Sequence, residues 1–147
     1  MNRFRFRLQS ILRVREIEED KKKREFGLAM QNLHREEQSL RHLATILSDH
    51  EQYMESSSRG RVSVRDLQNN YNFARALDGK IITQKRRVKD RKKIVDSKRS
   101  ELAESTKRKK ILERLKERYR IEHEQAAVKE EQSIIDDITS VRYTWSE

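Results

Sequence analysis

Residues 26–47, FGLAMQNLHREEQSLRHLATIL, place Phe26, Ala29, Leu33, Leu40, Leu43 and Leu47 at alternating intervals of three and four, with Glu36 filling the one gap. Followed outward from Leu8 to Met54, the same alternation visits fourteen positions, nine of them apolar: Leu8, Leu12, Phe26, Ala29, Leu33, Leu40, Leu43, Leu47 and Met54. A stripe of that period and length is the heptad seam of a coiled coil. No proline interrupts it. Two helices meeting along a seam enclose no cleft, and small-molecule chemistry needs one. The fold class is therefore all-α, a long antiparallel two-helix coiled coil (an α-helical hairpin), and its function lies in what it touches.

Composition agrees. Apolar residues make up 33% of the 147 and charged residues 41%, against roughly 45–50% apolar in an ordinary globular domain. Such a chain cannot fill a thick core, but it can fill the thin seam between two helices. The sustained period and the good helix formers between seam positions argue against disorder. Cysteine is absent, which removes disulfides, thiolate metal sites and thiol nucleophiles and fits a reducing compartment. The longest apolar runs, such as Leu28-Ala29-Met30 and Ala126-Ala127-Val128, are three residues long, too short to span a bilayer. The opening Arg3-Phe4-Arg5-Phe6-Arg7-Leu8 has the look of a mitochondrial presequence, but Glu16, Glu18, Glu19 and Asp20 follow at once, and presequences lack acids.

Breakers and caps divide the chain. Asn2 is a candidate cap for a first helix over about residues 3–55. Ser56-Ser57-Ser58-Arg59-Gly60-Arg61 is a turn cluster, with the turn over about 56–62. Ser63-Val64-Arg65-Asp66 reads as a capping box that opens a second helix over about 63–143. Leu67, Tyr71, Ala74, Asp78, Ile81, Lys85 and Val88 keep a four-three alternation through Gly79, so that helix should be continuous. Its seam then thins to Val88, Val95 and Leu102, with Lys85, Lys92 and Arg99 expected between them. Arg15, Glu19 and Lys22 form a matching weak zone in the first helix. A phase slip is expected across Thr106–Lys110, with Leu112, Leu115 and Tyr119 resuming the seam and Ile134, Ile138, Val141 and Trp145 forming a last stripe. One coiled-coil domain, residues 1–147, should result, with both chain ends at the same end of the hairpin.

The net charge of +10 is concentrated. Residues 85–120 hold 17 of the 35 Lys and Arg but 6 of the 25 acids. A basic run on a helix is most often a solvated face, and the functional alternative is an acidic protein or nucleic acid. No helix-turn-helix or zinc finger accompanies it, and stacking aromatics are missing from residues 85–118. His34, His42 and His50 fall eight residues apart, about 12 Å along a helix, too far to share an ion. No metal, cofactor or catalytic residue is expected. Phe6 and Ile17 are expected to project away from the seam of Phe4, Leu8 and Leu12 as candidate partner contacts. Phe73 likewise should sit off the seam that takes Tyr71.

Phe4-Arg5-Phe6-Arg7-Leu8-Gln9-Ser10-Ile11-Leu12-Arg13-Val14-Arg15 resembles the opening signature of the flagellar export protein FliJ family. Leu112-Glu113-Arg114-Leu115-Lys116-Glu117-Arg118 resembles that family's second landmark. The resemblance implies a soluble cytoplasmic stalk of the flagellar type III export apparatus, similar to the central stalk of rotary ATPases and without catalytic activity. It implies binding to the hexameric export ATPase through Phe4, Phe6, Leu8, Gln9 and Arg15 with Glu113, Leu115, Lys116, Glu117 and Arg118. It further implies contact with the membrane-embedded export gate around Tyr71, Phe73 and Leu77, handling of export chaperones, and peripheral association with the inner face of the membrane at the flagellar base. The alternatives are the equivalent stalk of a virulence type III secretion system and a basic coiled-coil nucleic-acid binder.

Overall fold

The computed structural model describes residues 2–145. Two long helices account for nearly all of them: α1, Gln9–Ser57, and α2, Val64–Thr144. They pack against each other as an α-helical hairpin, with no strand among the described residues. α2 is helical through Gly79. The turn between the helices follows from hydroxyl chemistry. Ser56, Ser57 and Ser58 each donate a side-chain hydrogen bond to the carbonyl three residues back, of Tyr53, Met54 and Glu55, at 3.0, 3.4 and 2.9 Å. The Met54 carbonyl also accepts from the Ser58 N–H at 3.1 Å, so the hydroxyls add bonds to the last turn, where a helix begins to run out of backbone partners. Ser63 then caps α2, its Oγ accepting from the Asp66 N–H at 3.1 Å.

α1 begins at Gln9, six residues past the start expected from Asn2. The Gln9 N–H donates to the Phe6 carbonyl at 3.1 Å in a tight turn, and residues 2–6 lie outside any helix.

The chain forms two compact units, residues 22–102 and residues 1–21 with 103–147. In the unit of residues 22–102, every α1 position on the four-three alternation from Lys22 to Met54 is buried or half-buried. The facing positions on α2 are Ala74, Leu77, Ile81, Gln84, Val88, Arg91, Val95, Lys98 and Leu102, none of them exposed. Contacts run antiparallel: Glu25 meets Lys98, Glu36 meets Gln84, and His50 meets Asn70.

This corrects the expected seam. Ala74, Ile81, Val88, Val95 and Leu102 are in it, but Leu67, Tyr71, Asp78, Lys85, Lys92 and Arg99 are exposed. The places of the last four belong to Leu77, Gln84, Arg91 and Lys98. From one seven-residue step to the next, the intermediate residue can come after three or after four. Here both options are mostly polar, so hydropathy does not choose between them. Contacts do. Gln84 is buried and donates from Nε2 to the Glu36 carbonyl at 2.9 Å and to the Glu36 carboxylate at 2.5 Å. Lys98 and Lys22 share Glu25 and Glu101 at 3.2 to 3.5 Å. Arg99, expected inside, instead lays its guanidinium over the Phe26 ring at 5.8 Å, a cation–π contact at the seam's edge.

In the unit of residues 1–21 and 103–147, Leu12 is buried, and Leu8, Leu112 and Leu115 are half-buried. The expected phase slip is absent, because Ser105, Lys109 and Leu112 continue the alternation. A polar layer sits within this seam: Glu19, only 3% exposed, accepts from Lys109 Nζ at 3.0 Å. The buried Ser105 hydroxyl has no hydrogen-bond partner. From Val128 to Thr144 every position of α2 is exposed, including Ile134, Ile138 and Val141 of the last stripe, and so is Trp145 just beyond the helix.

Two predictions follow from these positions. Val95→Ala, at a seam residue 3% exposed, should lower unfolding free energy by about 2 kcal/mol. Ile82→Ala, at a residue 63% exposed, should change it by less than about 0.5 kcal/mol; denaturant titration followed by circular dichroism reads both. The second concerns pH. The hydrogen bond from Lys22 holds the Glu101 carboxyl below the usual range. At Glu25 partial burial pushes upward, but the charges of Lys22 and Lys98 outweigh it. Depressed carboxyls stabilise the fold above their unfolded pKa, and that contribution is lost as pH falls through the folded value. Lys22, raised by its hydrogen bond to Glu101, contributes below its unfolded pKa and loses that contribution as pH rises through the folded one. The melting temperature should therefore fall on both flanks, and Glu101→Gln should flatten both limbs.

Candidate functional site

The two signature segments come together in the unit formed by residues 1–21 and 103–147. Residues 2–6 are not helical, so the spacing that would have turned Phe6 away from the seam does not operate. Phe6 is instead 8% exposed, its ring 6.2 Å from that of Tyr119 and tilted by 60°. Phe4 is half-buried, its ring 5.6 Å from His123. Tilted aromatic pairs at these separations are favourable. Tyr119 and His123 thus form a shelf for the opening segment. The sequence pattern expects Tyr119 in the seam and His123 at a surface or seam edge, but Tyr119 is 42% exposed and lies at the edge. No local motif marks their shared role, because only the antiparallel register brings them opposite the phenylalanines.

The shelf fixes what is presented around it. A shallow groove is lined by Arg3, Phe4, Arg5, Phe6, Gln9 and Lys116. Arg3, Arg5 and Arg7 are exposed, and none has a salt bridge among the described residues; Lys116 is half-buried and likewise has none. A ring of uncompensated cations about a half-covered phenylalanine suits an acidic protein surface that also offers an apolar side chain.

The other expected contact residues divide by partner. Leu8, Gln9 and Leu115 are half-buried, and Arg15 is too, with its guanidinium on Glu18 at 3.0 Å. Glu113 is exposed and lies 3.7 Å from Lys109. The Lys109 ammonium is held above its ordinary range chiefly by its hydrogen bond to Glu19. Glu117 and Arg118 are exposed and paired along the helix, Glu117 with Arg120 at 2.6 Å and Arg118 with Glu122 at 3.1 Å. The Arg120 hydrogen bond holds the Glu117 carboxyl below the usual range, and Arg120 also reaches Glu124. These pairs spend most of the landmark's charge within α2. The groove is where charge remains available.

In the unit of residues 22–102, Tyr71 and Phe73 are 64% and 48% exposed, whereas Leu77 is 5% exposed and belongs to the seam. The Phe73 ring tilts against His50 at 4.7 Å, and the same imidazole lies 3.2 Å from the Asn70 carbonyl. Ile17 is exposed, as expected. Among the described residues no group of three or more His, Cys, Asp or Glu could hold a metal ion, and no helix is long and apolar enough to cross a membrane.

Residues 4–146 match the family described as the flagellar FliJ protein, a span that takes in the aromatic shelf, both helices and all of the groove but Arg3. The chain belongs to the FliJ family. It is a component of the flagellar type III export system, and family membership implies interaction with parts of that apparatus. No match is found among curated proteins or among solved structures.

The shelf makes Phe6 a packing residue. Phe6→Ala should lower unfolding free energy by about 2 kcal/mol, while Ile17→Ala should shift it by less than about 0.5 kcal/mol. Thermal melts of the two variants test the assignment.

Proposed function

We propose that this FliJ-family protein is the stalk and coupling component of the export apparatus. It binds the hexameric export ATPase through the groove of Arg3, Phe4, Arg5, Gln9 and Lys116. Leu8, Arg15 and residues 113–118 back that surface, and Phe6 and Tyr119 hold it in shape. The observation that carries this reading is the pinned opening segment. Its phenylalanines are anchored on α2, so Arg3, Arg5 and Arg7 stand out from a folded support rather than a loose tail. Preorganised cations lose less freedom on binding than tethered ones.

An antiparallel helix pair suits a coupling role for a further reason. A ring of six identical subunits offers six equivalent interfaces until something asymmetric enters. Two different helices present different faces to neighbouring subunits and bias their states unequally, which is coupling through differential contact. The protein performs no catalysis of its own in this scheme. It works in the cytoplasm, peripherally associated with the inner face of the membrane at the flagellar base. It meets the export gate through Tyr71 and Phe73, which Leu77 supports from the seam, and it hands over export chaperones.

The test is ATP hydrolysis by the same organism's export ATPase, titrated with this protein and with an equally basic unrelated coiled coil. Saturable stimulation by this protein alone is expected. Arg5→Glu with Lys116→Glu should raise the concentration needed for half-stimulation by about tenfold, with the helical dichroism unchanged. A flat titration on an active ATPase would overturn the stalk reading and favour the gate or chaperone role.

A further inference from the structure

Two faces of α2 carry complementary chemistry at the same spacing. Ile82, Arg86, Lys89 and Lys93 follow one another at steps of four, three and four, so they share one helix face about 17 Å long. Glu130, Ile134, Asp137 and Val141 repeat those steps and share another face of the same length. All eight residues are exposed. None of Arg86, Lys89, Lys93, Glu130 and Asp137 has a salt bridge among the described residues. Ile82, Ile134 and Val141 are each more than half exposed.

We propose that a second copy of this chain docks residues 130–141 antiparallel along residues 82–93 of the first. In that register Val141 meets Ile82, Asp137 meets Arg86, Ile134 lies under the methylene stem of Lys89, and Glu130 meets Lys93. Two ion pairs and two apolar contacts form together. The parallel register sets Glu130 against Ile82 and Ile134 against Arg86, leaving a single ion pair, so direction is specified. The contact is between copies because α2 is one unbroken helix from Val64 to Thr144 and cannot fold one face onto the other.

Charge argues for this occupant. The chain has a net charge of +10, so two copies repel in most arrangements. Residues 80–93 hold eight Lys and Arg and one acid, whereas residues 128–141 hold one Lys and four acids. Setting these stretches together turns a repulsive encounter into a locally attractive one. Lysine stems also cover apolar surface while keeping their charge in water, which suits the exposed Ile134. The association is electrostatic and weak, and it goes beyond the stalk reading without depending on it.

Sedimentation velocity of the full chain at about 100 µM, a concentration chosen for a weak contact, tests the proposal. The mass should exceed the monomer in about 50 mM salt, with affinity at least about fivefold lower in about 300 mM salt. Arg86→Glu with Lys93→Glu, and separately Glu130→Lys with Asp137→Lys, should each give a monomer of unchanged helicity. An equimolar mixture of the two should associate again, since each restores the sign the other lacks. If a double variant loses helicity, the single exchanges Arg86→Glu and Asp137→Lys, mixed in the same way, take its place. A parent protein monomeric at both salts would overturn the proposal, as would a charge variant that associates like the parent or a mixture that stays monomeric. Association abolished by nuclease would overturn it too and assign the basic face to nucleic acid.

Discussion

In the unit of residues 22–102, Ala29, Leu77, Val88 and Val95 are buried in a single layer between α1 and α2, and Leu12 is buried between the same two helices in the other unit; the placement of the other side chains depends on this apolar contact. No described side chain is fully enclosed, because a seam two helices wide leaves each residue partly open at its flanks. Apolar burial in such a layer is proportional to its length. Stability is therefore spread over the heptads rather than gathered at a centre. A chain with 33% apolar residues has this solution open to it and few others.

Polar residues inside the layer do a different job. Glu19 with Lys109, and Gln84 with Glu36, replace apolar contact by directed hydrogen bonds. Both cross-helix bonds form only when the two residues stand opposite each other. Sliding the helices by one heptad would strand a buried carboxylate or amide, a far larger loss than an altered leucine contact. Register is thus held by a few polar layers, as in other coiled coils with a buried polar position. Ser105, buried without a hydrogen-bond partner, adds no such direction.

How far the sequence revealed this differed between the helices. From Leu8, just ahead of α1, to Met54 within it, the leucines are dense enough that none of the fourteen positions of the alternation is exposed. In α2 only the residues at seven-residue steps were legible. Leu77 against Asp78 was the one local clue to which side the intermediate position falls, and beyond it Gln84 against Lys85 and Lys98 against Arg99 carry no hydropathic signal. The opening signature was readable as a motif, but the placement of its phenylalanines was not. The helical period expected from residue 3 does not operate before Gln9, and the Tyr119 and His123 shelf depends on a register that only three-dimensional packing sets.

The exposure of α2 from Val128 onward has a consequence for how the molecule opens. A helix with no neighbour along its length keeps only its own backbone bonds and local side-chain contacts, and isolated helices of about 15 residues are marginal in water. Gln132 to Asp136 and the hydroxyls of Thr139, Ser140 and Thr144 supply a few of those contacts. Amide hydrogens there should exchange by local fraying, while those beside Val88 and Val95 wait for the helices to separate. A partner that covers the last turns would suppress that fraying, so occupancy of that end has its own signature in amide exchange.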